Sequence, residues 1–319
     1  MTESPAGTAT EAYPPAEDLT VLPVRHPWRW VAVAVIALLA AMFVHSLVVN
    51  PAWEWSYVRG YFTDAQIRSG IWVTLQLTFL AMAIGIVFGV LLAVMRMSPN
   101  PVLSTSAWIY TWFFRGTPVL VQLLFWYFFA YLFSNISIGV PFGPRFHTWD
   151  TNSVITPFVA GVLGLGLNEA AYMSEIARAG LLSVSQGQHE AAAALGMGRG
   201  LALRRIILPQ AMRVIIPPTG NETISMLKTT SIVIVISLSD LTTAAEQIYN
   251  QATFLQVPLL VVASIWYLIM TSILSIGQYF LEKRYGRGTS RNVPDRPLQR
   301  LLQRMRAERR EESVGGAGA

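Results

Sequence analysis

The sequence EAAAALG at residues 190–196, followed by IILP at residues 206–209 after a gap of nine residues, is the most informative part of this chain. It is a polar segment between two long apolar stretches. Three arginines in or beside the gap favour water over lipid, because charged side chains are costly inside a bilayer: Arg199, Arg204 and Arg205. We therefore expect a water-exposed loop between two membrane-spanning segments.

A short helix is predicted inside this loop. Ser185 and Gln188 have the spacing of a capping box, which satisfies free backbone N–H groups at the start of a helix. The alanines give the helix a thin face that can enter a groove on a partner, and a glycine, Gly196 or Gly198, is expected to end it. The alternative is an ordinary alanine-rich loop helix.

The composition indicates that lipid is the solvent of this chain. Of its 319 residues, 53% are hydrophobic and 13% are charged, and the mean hydropathy is +0.45. A soluble domain carries about twice that charged fraction. The absence of cysteine excludes disulfides and thiol chemistry. The net charge of +5 comes from arginines grouped in loops and in the tail, a pattern typical of cytoplasmic membrane flanks and not of nucleic-acid binding.

About six membrane-spanning helices are expected from the lengths of the apolar runs. The first is expected to be retained and not cleaved as a signal peptide, because it is too long and no small-x-small site follows it. The spans are predicted at about residues 30–49, 71–95, 117–133, 154–172, 206–237 and 257–281.

The segments between the spans predict the orientation. Residues 1–28 are expected to form a disordered arm, 102–114 to lie along the cytoplasmic interface, 239–256 to be polar and external, and 285–319 to form a tail. Most of the arginines between the spans fall on the same side as both termini, which by the positive-inside rule is the cytoplasm.

The fifth span is predicted to be broken, because Pro209, Pro217, Pro218 and Gly220 interrupt it. Broken helices are tolerated in lipid where they line a cavity. A zwitterionic amino acid needs an anionic partner for its ammonium group and donors for its carboxylate. Hydrogen bonding between helices is an equally good explanation, and Lys228 can pair with a carboxylate. The side chains that can supply such groups are Gln122, Asn168, Glu169, Asn221 and Glu222.

The head of the third span carries a second candidate site. An arginine there can reach the membrane interface, and a glycine with a proline weakens the helix enough to serve as a hinge. An interfacial anchor with a kink is the equal alternative. Glu175 and Arg178, three residues apart on the fourth span, are expected to pair. The hinge candidates are Arg115, Gly116, Thr117 and Pro118.

Together these segments resemble the type I ABC importer permeases. The EAA-loop pattern of that family, Glu-Ala-Ala-x3-Gly-x9-Ile-x-Leu-Pro, is matched throughout by Glu190, Ala191, Ala192, Gly196, Ile206, Leu208 and Pro209. The segments 70–78, 114–123, 169–176 and 208–222 are similar to the polar amino acid branch, the histidine-, glutamine- and arginine-type permeases. The branch usually lacks the first span, and it often has Lys-Asp-Thr-Ser where this chain has KTTS at residues 228–231.

The resemblance implies an all-α integral membrane protein, with a permease domain at about residues 70–284 and one additional helix before it. It implies import of a polar amino acid, or a close derivative, across the bacterial cytoplasmic membrane. The loop at about 185–209 would dock on a dimer of ATPase subunits. A second permease, identical or related, and an extracytoplasmic substrate-binding protein would complete the assembly in lipid.

ATP and Mg are expected on the partner ATPase. This chain has two lysines, Lys228 and Lys283, and neither lies in a Gly-x4-Gly-Lys-Ser/Thr loop. We expect no cofactor on this chain, no metal and no enzymatic activity, because its four histidines are scattered and no Gly-x-Ser-x-Gly motif occurs. An ion- or proton-coupled secondary carrier is the alternative, and it would require an inverted repeat that is not evident. The sequence does not identify the amino acid.

Overall fold

The computed structural model describes residues 27–140, 143–251 and 255–285, and these are mostly helical. The predicted arm and tail lie outside them, except that Pro27 and Trp28 begin the first helix and Tyr285 ends the last. The chain divides into two units, Met1–Trp53 and Glu54–Ala319. The first contains α1, Pro27–Val49, and a 3₁₀ turn, Pro51–Trp53.

The second unit is a set of packed helices with one small hairpin. Strands β1, Asn135–Gly139, and β2, Arg145–Asp150, pair antiparallel. A π-helical turn, Leu203–Ile207, leads into α11, and a 3₁₀ segment, Thr230–Ile236, follows it. The helices are α2 Trp55–Tyr61, α3 Ala65–Arg96, α4 Pro101–Gly116, α5 Val119–Tyr127, α6 Phe129–Leu132, α7 Thr151–Val154, α8 Pro157–Leu182, α9 Gln186–Ala194, α10 Arg199–Ala202, α11 Leu208–Thr229, α12 Leu241–Tyr249 and α13 Gln256–Tyr285.

Several helices begin where a polar side chain accepts a hydrogen bond from the first turn. Asp64 accepts from the N–H of Gln66 at 2.7 Å to start α3, and Asn100 accepts from Val102 at 2.9 Å to start α4. Thr156 starts α8. The residues after Asn100 and Thr156 are prolines, whose fixed φ suits the first helical position.

Within the described residues, three helices are long and apolar enough to cross a bilayer alone: Trp28–Val49, Ala65–Arg96 and Gln256–Tyr285. The run Arg199–Ile236 passes the same test only together with Leu241–Tyr249, to which it is bent by 46°. The predicted third span is split between α5 and α6, and the predicted fourth is part of α8. The count of about six spans therefore stays a prediction.

Helices α3 and α8 pack closely because glycines remove side chains from their contact. A Cβ at Gly85 would collide with the side chain of Glu169, and one at Gly89 would lie 2.5 Å from the Cβ of Met173. Small residues four apart let two helices approach to backbone distance in a membrane. This contact places α8 at the centre of the unit, beside the buried Leu77 and Ala81 of α3.

The predicted break at Pro217, Pro218 and Gly220 is wrong, because α11 continues through all three. Two prolines remove only two backbone donors, those that would reach the carbonyls of Arg213 and Val214. Both of these residues are exposed, so their carbonyls can be satisfied from outside the protein. The helix axis changes direction further on, after the 3₁₀ segment, where Ser237 has a φ of 53°.

The segment at 239–256, predicted to be polar and external, contains helix α12, and its side of the membrane stays a prediction. Helix α12 is amphipathic, and Leu241, Ala244, Ala245 and Ile248 are buried on one face. Asp240 caps it, accepting from the N–H and the hydroxyl of Thr243 at 2.9 and 2.7 Å. The apolar residues of α12 recur at spacings of three, four and seven, which is the pattern of an amphipathic helix within a segment of polar composition.

We expect Gly89→Ala to destabilise the protein by about 1–3 kcal/mol, because the added methyl group overpacks the contact between α3 and α8. The matched control is Gly60→Ala in α2, where a Cβ meets nothing within 4 Å. Alanine in an open helical position stabilises by roughly 0.5–1 kcal/mol over glycine. Thermal unfolding of the purified full-length variants measures both, and equal effects would refute the packing argument.

Candidate functional site

A cavity of about 580 Å³, called here the central cavity, lies between the link from α4 to α5, helix α8 and helix α11. Its wall is mixed in character, with Leu165, Val119 and Met226 among the apolar residues. The polar and charged side chains that line it are Arg115, Thr117, Asn168, Glu169, Tyr172, Glu222, Ser225 and Thr229.

Two helices each turn one face to the central cavity. On α8 the lining residues Leu165, Asn168 and Tyr172 are spaced by three and four. On α11 Glu222, Ser225 and Thr229 have the same spacing. Residues at this spacing lie on one face of an α-helix, so each face is set by the helix itself and not by loop conformation.

Glu169 is the most enclosed charged residue of the wall. Its side chain is 3% exposed and lies in the space that Gly85 leaves free on α3. Its Oε1 atom is buried and accepts no hydrogen bond within the described part of the chain. A buried carboxyl oxygen without a donor is unfavourable, and the residue that carries it borders the central cavity.

Arg115 and Tyr172 lie between the central cavity and a second cavity of about 490 Å³. The guanidinium of Arg115 is 5.3 Å from the centre of the Tyr172 ring, within the range of a cation–π contact. Gly116 also borders both cavities. The second cavity is bordered by Glu175, which forms the predicted pair with Arg178 at 2.6 Å.

The link between α4 and α5 is a true break in the helix. Thr117 and Pro118 are extended, with ψ of 144° and 135°. Gln122 holds this link: its Nε2 donates to the carbonyl of Phe114 at 2.9 Å and to the hydroxyl of Thr117 at 2.8 Å. The Nδ2 of Asn168 donates to the Oε1 of Gln122 at 3.1 Å, which ties the link to α8.

The polar loop after α8 contains the predicted short helix, α9. Gly196 has a φ of 71°, and its N–H donates to the carbonyl of Ala193 at 2.9 Å. The N–H of Met197 donates to Ala192 at 3.0 Å. These two bonds form a Schellman motif, which requires a left-handed residue where Gly196 stands. Of the two glycines considered, Gly196 is therefore the one that ends the helix.

The predicted capping box at the start of α9 is wrong. Ser185 occupies the cap position, but its side chain makes no capping hydrogen bond. Gln188 accepts instead from the Nε2 of Gln210 on α11 at 3.2 Å. The Gln188 side chain is thus engaged with the following helix.

The exposed surface of α9 fits a docking role. Glu190 and Ala191 are exposed, whereas Ala192 is buried. Leu195, directly after α9, is 78% exposed and open to contact by a partner. The matched motif residues Ile206, Leu208 and Pro209 continue into α11, and the neighbouring Ile207 is buried.

Comparison with known proteins identifies the family. Residues 85–287 match the family model described as the binding-protein-dependent transport system inner membrane component. The chain belongs to this family. It is 49% identical over 280 residues to the arginine transport system permease protein ArgU of Corynebacterium glutamicum. The matched residues make up 88% of this chain and 87% of that protein. The L-cystine transport system permease protein TcyB of Bacillus subtilis is 35% identical over 242 residues, or 76% of this chain and 95% of the relative.

Solved structures agree with these relatives. A crystal structure described as an amino acid ABC transporter with histidines matches with a TM-score of 0.57 and 39% identity, covering 69% of this chain and 94% of that one. The MetNI methionine ABC transporter, at 18% identity and a TM-score of 0.55, shares the fold. The predicted all-α type I importer fold and the function of an amino acid ABC permease subunit are confirmed, and nothing supports a secondary carrier.

The permease brings together only part of the predicted substrate path. Asn168, Glu169 and Glu222 line the central cavity, whereas Gln122 and Asn221 do not. Asn221 is exposed and accepts from the Nε2 of Gln278 at 2.9 Å. Lys228 is also exposed and forms no ion pair within the described residues.

Three polar residues of the cavity wall were not among the predicted site residues: Tyr172, Ser225 and Thr229. Helical spacing from residues already singled out would have found them, because Tyr172 is four after Asn168, and Ser225 and Thr229 are three and seven after Glu222. Within the hinge segment, Arg115, Gly116, Thr117 and Pro118 all border the cavity, and their role in movement stays a prediction.

We expect Gln122→Leu to reduce stability by about 1–3 kcal/mol, because it leaves the carbonyl of Phe114 and the amide of Asn168 with fewer partners in a buried site. Thermal unfolding measures this loss, with the exposed Gln251→Leu as control. The half-saturation concentration of the protein that remains folded should be nearly unchanged, since Gln122 does not line the cavity. A large change in half-saturation at full stability would return Gln122 to the substrate path.

Proposed function

We propose that this permease imports a cationic amino acid, arginine or a close derivative. The observation that carries the proposal is the composition of the central cavity wall, which contains two carboxyl groups, those of Glu169 and Glu222, and one guanidinium, that of Arg115. The arginine transport permease that is 49% identical to this chain supports the same substrate class.

The chemistry of such a substrate matches the cavity wall. The α-carboxylate needs donors, which Arg115 supplies in a geometry suited to carboxylate. The ammonium and a cationic side chain bring only donors, and a guanidinium carries five N–H groups with no acceptor. The carboxyl groups of Glu222 and Glu169 are the acceptors that such donors require. A neutral amino acid would leave one carboxyl group without a partner.

A separate dimer of ATPase subunits binds ATP and Mg. An extracytoplasmic substrate-binding protein delivers the amino acid to the permease. A second permease, identical or related, completes the assembly. Helix α9 and the loop at 185–209 dock on the ATPase, which the exposed Leu195 and the thin alanine face support. Both termini are cytoplasmic, because this orientation puts most of the basic residues that flank the spans inside: Arg96, Arg199, Arg204, Arg205, Lys283 and Arg284.

We expect Glu222→Gln to weaken arginine transport by about ten- to a hundredfold, the loss of one charge-assisted hydrogen bond of roughly 1.5–3 kcal/mol. The measurement is arginine uptake into proteoliposomes that contain the complete transporter, alongside thermal stability of the variant. Stimulation of ATP hydrolysis by arginine, glutamine and glutamate is recorded in parallel. The loss should be largest for arginine.

The control for this experiment is Glu246→Gln, a carboxylate on α12 that does not line the cavity. It should leave uptake unchanged. A well-expressed Glu222→Ala protein with unchanged half-saturation and rate would remove Glu222 from the substrate path. Equal stimulation of the unmodified transporter by glutamine and arginine would refute the cationic substrate class while leaving the permease function intact.

The docking role of α9 is tested at Gly196. A side chain there is strained by about 1 kcal/mol or more at a φ of 71°, although a Cβ meets nothing within 4 Å. We expect Gly196→Asp to abolish uptake while membrane insertion persists. The matched control is Gly198→Asp, because Gly198 is equally open but has a φ of −62°. Normal transport by Gly196→Asp would count against docking, and equal loss in both variants would point to the added charge instead of the backbone.

A further inference from the structure

Another concave site, separate from the two cavities described above, lies between the start of α11 and the end of α13. This basic groove has a volume of about 390 Å³ and shares no lining residue with the central cavity. Three arginines border it, with apolar side chains from both helices between them. The residues used in the argument are Arg204, Arg213, Arg284, Leu208, Met212 and Tyr285.

The arginines of the basic groove have no anionic partner among the residues that the structure describes. All three are exposed. None of them takes part in the ion pair found within the described residues, which joins Arg178 to Glu175. Glu282, the acidic residue nearest to Arg284 along the chain, accepts instead from Gln278 at 2.8 Å. No carboxylate from the described part of the chain lines the groove. Three guanidinium groups around one concave surface therefore offer about fifteen N–H donors to an anionic ligand.

An apolar track leads away from the groove along α13. Gly277, Leu281 and Arg284 follow one another at spacing four and three, so they share a face of the helix. Leu281 is 45% exposed, and a Cβ added at Gly277 would meet no atom within 4 Å. The neighbouring exposed residues Ile273 and Phe280 are also apolar. The surface next to the arginines is thus an exposed apolar face of a helix that is long and apolar enough to cross a membrane.

We infer that the basic groove binds the headgroup of an anionic phospholipid, with an acyl chain along the face of Gly277 and Leu281. Arginine forks bind phosphate oxygens in pairs, and basic pockets between spans at the cytoplasmic side hold anionic headgroups. Leu208, Met212 and Tyr285 favour a lipid over free phosphate, because a small hydrated anion gains nothing from an apolar wall. The exposed apolar face of Gly277 and Leu281 favours a lipid over an acidic protein surface, because an acyl chain can cover that face.

The test uses the full-length permease purified with its ATPase in neutral detergent. Phosphatidylglycerol, phosphatidylcholine and inorganic phosphate are titrated separately, and the thermal unfolding midpoint is recorded. Phosphatidylglycerol should raise the midpoint in a saturable way, and the other two should not. The variant Arg204→Gln/Arg213→Gln/Arg284→Gln should bind phosphatidylglycerol more weakly by roughly fivefold per arginine, or about a hundredfold in all.

The matched control is Arg199→Gln/Arg205→Gln/Lys283→Gln, which removes the same charge from exposed neighbours that do not line the groove. It should retain most of the affinity. If the triple groove variant does not fold, Arg284→Gln alone, at the exposed end of α13, should show a loss of roughly fivefold.

Three results would overturn the inference. Equal stabilisation by inorganic phosphate would make the groove a site for free anions. Equal weakening by the groove and control variants would reduce it to general surface charge. Unchanged phosphatidylglycerol affinity in the groove variant, with loss of the co-purified ATPase, would assign the arginines to the protein partner.

Discussion

The close approach of α3 and α8 is the constraint on which the rest of the permease depends. Gly85 and Gly89 remove two side chains from the contact, and the space at Gly85 is filled by Glu169. The same absence of a Cβ that lets the helices pack also holds a carboxyl group at the wall of the central cavity. Packing and site chemistry are therefore coupled at one position, since a change that separates the helices also displaces an acceptor of the proposed substrate.

The break between α4 and α5 solves a related problem. Backbone groups at a helix break need partners when water is scarce. Gln122 provides two donors for the end of α4 and accepts from Asn168 on α8. Because these amide groups replace water at the break, Thr117 and Pro118 can remain extended, and Arg115 stays beside Tyr172 at the boundary of two cavities.

The features that could be predicted from sequence are those that depend on local spacing. The pair Glu175–Arg178 and the end of α9 at Gly196 follow from three-residue spacing and from the backbone freedom of glycine. The errors arose where the surroundings decide the outcome. Proline at 217 and 218 did not break α11, because the carbonyls that lose donors lie at exposed residues. Gln122 and Asn221 carry suitable groups, but only packing determines that they face other helices and not the cavity.

The short path between the docking helix and the cavity gives the proposed coupling a physical basis. Helix α8 carries Glu169 and Tyr172, then runs directly into the loop that holds α9, and α11 leads back from that loop to Glu222. The two helices are in contact near the loop, where Gly180 leaves room for Ile215, and Gln188 is bonded to Gln210. The buried cluster of Val184, Ile207 and Ala211 joins the same segments. Because protein interiors are close-packed, this cluster gives the proposed movement of α9 a continuous packed route to both carboxyl groups of the cavity.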